Sequence, residues 1–179
     1  MFDKGDVNVS SLAARLASVT GTVKAHLQNV EVYPSMGNHD VYPNNVEEFS
    51  DAQASPVINA FYENWHGQFW LNDTEIETYH DWGYYAKPIR YEDKAKPGTW
   101  IETKGKLISL NTQACNQWNW ALLHDRQDPG HMVEWLENEL NEAEKDLENG
   151  AFVWIIGHIP PNDCLNGFSS RLQALTTRY

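Results

Sequence analysis

Leu12, Leu16, Val19, Val23 and Leu27 recur three and four residues apart behind Ser10 and Ser11. That spacing puts apolar side chains on one face of an α-helix, with hydroxyls at its start to cap it. Gly21 weakens the stripe without ending it. Val30-Glu-Val-Tyr33 switches to alternation, which predicts a strand, and the strand runs into Pro34 and the stretch MGNHDVYP at 36–43. The long section that follows is rich in aromatics, with Trp65, Phe69, Trp70, Trp82, Tyr84 and Tyr85. Its mixed pattern predicts short helices and a strand around Gly83-Tyr-Tyr85. Lys106-Leu-Ile-Ser-Leu110 predicts the next strand. Asp128-Pro-Gly130 is an N-cap with Pro at the first helical position. Behind it Met132, Val133, Leu136, Leu140, Ala143 and Leu147 share one face, and Gly150 closes the helix. Phe152-Val-Trp-Ile-Ile156 predicts a short buried strand, ending in Gly157-His158-Ile-Pro-Pro161.

One arrangement therefore occurs twice: a helix, a strand, then a turn carrying Gly and His. Such a layout predicts an α/β fold, and in α/β sheets the loops leaving the C-terminal ends of strands converge on one crevice. The first turn presents an amide, an imidazole and a carboxylate in succession, Asn38, His39 and Asp40. Gly, Asn and Asp are also ordinary turn residues, so this block alone leaves a plain turn open. Asp40 fits turn or supporting hydrogen bonds better than chemistry. Two histidines and an amide at one rim would suit Zn, Fe or Mn. His26, His66, His80, His124 and His131 have no such context and are read as packing or surface residues. The acidic run from Glu134 to Glu148 is read as the wet face of its helix.

A length of 179 residues, 41% apolar and 21% charged, predicts a single folded domain spanning 1–179. The net charge of −12 argues against a nucleic-acid polymer as partner, since phosphate backbones need clustered Lys and Arg; it suits attraction of cations. The run Phe152–Ile156 is far too short to span a membrane. The opening MFDKGD carries charges where the apolar part of a secretory leader would lie, so no leader is expected within these residues. Two cysteines, Cys115 and Cys164, do not define a disulfide framework by count. Asn8-Val-Ser and Asn72-Asp-Thr are glycosylation sequons in a secreted protein and chance tripeptides otherwise.

Gly37-Asn38-His39-Asp40 and Gly157-His158 resemble two signature blocks of the calcineurin-like metallophosphoesterases. VYPSMGNHD, Gly83-Tyr-Tyr85, LISLNTQAC at 107–115, the Asp128-Pro-Gly helix with Trp135 and Leu136, IIGHIPPNDC at 155–164 and the ending TTRY resemble the acid sphingomyelinase branch, over roughly residues 30–179. The resemblance implies a four-layer αββα sandwich and two divalent metal ions, Zn foremost with Fe and Mn as alternatives. It implies that Asn38 and His158 ligate one metal of the pair. It gives His39 the role of assisting the phosphoryl group or protonating the leaving alkoxide. It also implies a Cys115–Cys164 disulfide and hence an oxidising compartment, secreted or lysosomal. The implied reaction is hydrolysis of a phosphodiester, with sphingomyelin first and nucleotides or related diesters as alternatives. Peripheral contact with a lipid surface follows from that substrate.

The resemblance also implies an early Asp-x-His block and a Gly-His-x-His block after TTRY, and neither occurs in this sequence. Gly5-Asp6 is either the block that supplies a bridging aspartate ligand, Asp6, or a charged, solvated end. The expectation is a partial catalytic domain, cut at both ends, with weakened metal binding. Two readings stay open: a metal-dependent hydrolase, or a non-catalytic remnant of one.

Overall fold

Leu107 and Ile108 are neighbours in sequence, yet they bury into different cores, as the two-residue period of a strand requires. They lie on the central strand of the sheet. The computed structural model describes residues 8–27, 30–53, 55–66, 71, 76–124 and 127–179. Among these, three strands form one mixed sheet in the order β1-β2-β3: β1 Tyr85–Glu92, β2 Trp100–Ser109 and β3 Phe152–Ile156. β1 and β2 pair antiparallel, from Tyr85 opposite Ser109 to Glu92 opposite Trp100, while β2 and β3 pair parallel, from Gly105 opposite Phe152 to Ser109 opposite Ile156. A parallel pair needs a crossover, and α4, Met132–Glu144, supplies it.

Helices cover both faces. On one side α4 and α5, Asn166–Arg178, pack through Met132, Val133, Leu136, Leu140 and Phe168 against Ile108 and Leu110. On the other, α1, Val9–His26, α2, Pro56–Trp65, and α3, Ile76–Trp82, enclose a core with Leu107, Tyr85, Tyr79, Ile58 and Phe61. Ile108 is fully buried; truncating it to Ala removes contacts worth about 2–5 kcal/mol. The chain is thus α/β, with one three-stranded sheet among the described residues.

Several details differ from the sequence reading. α1 is capped by Asn8, whose Oδ1 accepts from Ser11 N at 2.9 Å while Ser11 Oγ accepts from Asn8 N at 3.0 Å; Ser10 lies inside the helix. The helix after Asp128-Pro-Gly130 starts only at Met132, because Gly130 (φ 63°) and His131 (φ 53°) are left-handed. It ends at Glu144, and Gly150 instead closes a separate turn, Leu147–Asn149. Val30–Tyr33 joins no strand ladder among the described residues. It is held by side chains: Glu31 pairs with Lys87 at 2.9 Å, and Tyr33 Oη accepts from Arg90 N at 3.3 Å. β3 is not buried. Phe152 and Trp154 are exposed, since β3 lies at the end of the strand order. Phe69 and Trp70 lie outside the described residues.

Candidate metal centre

β2 and β3 run parallel and end level, Ser109 opposite Ile156, so the segments that leave them emerge on the same rim. Thr112 joins the two. Its Oγ1 accepts from His158 N at 3.2 Å and from Ile159 N at 2.9 Å. Gly157 permits this close docking, because a Cβ there would stand 2.7 Å from Thr112 Cγ2. The disulfide between Cys115 and Cys164 ties the same two segments covalently across 49 residues. Leu165 N donates to Cys115 O at 2.8 Å beside it.

The GNHD turn reaches that rim from a third direction. Pro34 O accepts from Tyr85 Oη at 2.7 Å and from Ser109 Oγ at 3.2 Å, which clamps the incoming segment to the start of β1 and the end of β2. Asp40 shapes the turn itself, since its Oδ2 accepts from Gly37 N at 2.8 Å. Gly37 lies against the His158 ring, and a Cβ at position 37 would come within 3.1 Å of it. The result is a direct contact across 120 residues: Asn38 Oδ1 stands 2.9 Å from His158 Nε2.

That distance bears on a metal. Two donors each about 2.1 Å from a common cation, at tetrahedral or octahedral angles, lie about 3.0–3.4 Å apart. A carboxamide oxygen and an imidazole nitrogen at 2.9 Å are within hydrogen-bond reach of each other and just short of that span, so these two donor types could form one edge of a coordination shell after a small separation. The described residues supply no more: among them no group of three or more His, Cys, Asp or Glu gathers. His39 is exposed, and its Nδ1 lies 3.3 Å from Asn44 Nδ2. Asp6 and Asn72 lie outside the described residues, and Asn8 is exposed at the start of α1.

Several residues at the rim went unnoticed in the sequence. Asn45 is left-handed (φ 69°), and its N donates to Asn38 O at 2.9 Å. Its Oδ1 accepts from Asn38 Nδ2 at 2.8 Å and from Asn116 Nδ2 at 3.3 Å. Asn116 and Gln113 are buried. The signal was the amide-rich, charge-free stretch NTQACNQWN at 111–119, where buried polar groups must find one another. An apolar groove of about 320 Å³ between α4, β3 and α5 lies by Ala151 and Phe152, at the opposite end of β3 from His158.

No family model matches the chain. Curated proteins do resemble it. A sphingomyelin phosphodiesterase of Bos taurus is 35% identical over 168 residues, covering 92% of this chain and 24% of that protein. Sphingomyelin phosphodiesterase 2 of Caenorhabditis elegans is 30% identical over 179 residues, 99% of this chain and 27% of its own length. Cyclic GMP-AMP phosphodiesterase SMPDL3A of Bos taurus is 31% identical over 144 residues, 80% of this chain and 28% of that protein. The chain spans about a quarter of the length of the curated relatives it matches.

Proposed function

Since the chain belongs to the acid sphingomyelinase-like phosphodiesterase branch, we propose that it forms part of the catalytic domain of a metal-dependent phosphoric diester hydrolase. In this reading residues 1–179 are one partial domain, and the three-stranded sheet belongs to a four-layer αββα sandwich. The observation that carries it is the meeting of Asn38 Oδ1 and His158 Nε2 at 2.9 Å, from the two loops that carry the GNHD and GHIPP blocks of this sequence.

The residues divide the work by their chemistry. Asn38 and His158 would hold one of two divalent ions, Zn or else Fe or Mn, and Asp6 is the candidate to bridge to the second. When bound, such a pair supplies an activated water and offsets charge on the phosphoryl oxygens. His39 would act as the acid in its imidazolium form, giving one ring N–H proton to the departing alkoxide and returning to the neutral imidazole. An alkoxide is a strong base, so this proton matters most for alkyl leaving groups. The diester of a choline phospholipid, sphingomyelin, is the substrate we favour. A nucleotide diester is the second reading, supported by the likeness to a cyclic GMP-AMP phosphodiesterase.

The setting is consistent with this. The Cys115–Cys164 bridge suits a secreted or lysosomal compartment, where the Asn8 and Asn72 sequons would carry glycans. Trp118 and Trp120, exposed beside the bridge, would meet a lipid interface. No helix among the described residues is long and apolar enough to cross a membrane. The test is His39→Gln in the full polypeptide that contains this chain. Turnover of an alkyl diester should fall about 10²–10⁴-fold, while a nitrophenyl diester, whose leaving group needs no proton, should lose little. Equal losses on both would remove His39 from the role of acid.

A further inference from the structure

An asparagine side chain presents an oxygen on one side and an NH2 on the other, and only the oxygen can face a cation or accept from an imidazole N–H. Asn38 is half-exposed on a turn, so something must choose its orientation. We propose that the backbone N–H of Trp118 makes that choice, acting through the side-chain amides of Asn116 and Asn45 as positioning residues.

The relay starts from a group whose polarity is fixed. A backbone N–H only donates, and Trp118 N donates to Asn116 Oδ1 at 3.0 Å. Asn116 must therefore turn its NH2 the other way. Its Nδ2 donates to Gln113 Oε1 at 2.7 Å and to Asn45 Oδ1 at 3.3 Å. Asn116 is 2% exposed and Gln113 0%, so bulk water does not stand in for a wrongly turned amide. Asn45 is thereby obliged to present oxygen to the site. The atom of Asn38 that meets this oxygen at 2.8 Å is its NH2, and Asn38 Oδ1 is left pointing at His158 Nε2, 2.9 Å away. The left-handed backbone of Asn45 and its N–H to Asn38 O at 2.9 Å hold the link in register. Each step follows from the one before, and reversing any one of them alone sets donor against donor or acceptor against acceptor.

The relay acts on His158 even without a bound metal. With an oxygen facing it, His158 Nε2 carries the ring hydrogen in the metal-free protein. Nitrogen-15 NMR of the histidine ring, at a pH where it is neutral, reads this directly. The wild type should show Nε2–H at His158. Asn116→Asp keeps an acceptor for Trp118 N but offers only oxygen to Asn45. Asn45 and then Asn38 should turn over, and His158 should change to the Nδ1–H form. Asn45→Asp keeps the acceptor that Asn38 needs and should leave Nε2–H in place. Asn45→Gly suits the positive φ but deletes the acceptor and should give a mixture of both forms; it stands in for Asn116→Asp should that variant fail to fold by near-UV circular dichroism. An unchanged His158 tautomer in Asn116→Asp, or in Asn45→Gly, overturns the relay.

Zn titration supplies the second readout, and only this part rests on the proposed metal role of Asn38. Asn116→Asp should weaken Zn binding about 10–100-fold, the usual effect of losing a group that orients a ligand, while Asn45→Asp should keep or raise it. Tautomers that behave as stated in a wild type that does not bind Zn would preserve the relay and refute the metal reading. Zn binding with unresponsive tautomers would do the reverse.

Discussion

The contact between Asn38 and His158 joins two blocks that stand out in the sequence, each with a glycine that its close packing requires. On the proposed metal reading, replacing either removes one ligand atom. Asn38→Leu or His158→Ala should each lower divalent-metal affinity by at least about 10-fold without unfolding the protein, as calorimetric titration beside a thermal melt will show; full affinity in both would place the metal elsewhere. Asn45 and Asn116 were not legible. Their roles depend on an amide–amide contact across 71 residues, and no local pattern encodes which end of an amide faces which. Gly83 is a related case. Its φ of +77° and the 2.7 Å between a would-be Cβ and Asn111 Nδ2 make Gly83→Ala a strained and crowded substitution. We expect a loss of about 1–3 kcal/mol, measured by urea unfolding.

Among the elements, α4 shows how a stripe correct over its first part coexists with a wrong boundary, since Leu147, predicted on the same face, is exposed in the turn beyond the helix. Met132, Val133, Leu136 and Leu140 bury as the spacing predicted, but Asp128 caps from farther back than expected. Its Oδ1 accepts from Val133 N at 2.8 Å and its Oδ2 from Glu134 N at 3.0 Å, across the left-handed Gly130 and His131. Asp128→Ala should therefore destabilise the protein by about 0.5–2 kcal/mol, whereas Asp128→Asn should retain much of the cap. β3 was recognisable as a strand, yet its burial was not, since exposure depends on where a strand falls in the sheet order. α5 went unread. Phe168, Leu172, Leu175 and Tyr179 line one face against the core, but Gly167, Ser169, Ser170, Thr176 and Thr177 dilute the helical propensity of the segment.

Taken whole, the molecule carries an acid that favours low pH. Glu47 is 2% exposed, and burial, only partly offset by the Ser55 hydroxyl and the Glu48 N–H, pushes its carboxyl from an ordinary 4.5 up to about 7. Between those values the unfolded chain sheds the proton while the folded chain keeps it. Stability from this residue is therefore greatest below about 4.5 and falls by about 3 kcal/mol as pH rises to 7. Urea midpoints across pH 5–8 should show that decline in the wild type and a flatter profile in Glu47→Gln. The Cys115–Cys164 bridge closes a loop with a sequence separation of 49, which contributes about 4 kcal/mol in the chain-entropy picture. It also keeps the His158 segment beside Thr112. The most direct measurement is an anomalous difference map from crystals of the full polypeptide grown with Zn or Mn. A metal peak bonded at about 2.0–2.3 Å to both Asn38 Oδ1 and His158 Nε2 is the predicted result. Metal bound only elsewhere, with those two atoms still hydrogen-bonded to each other, would contradict it.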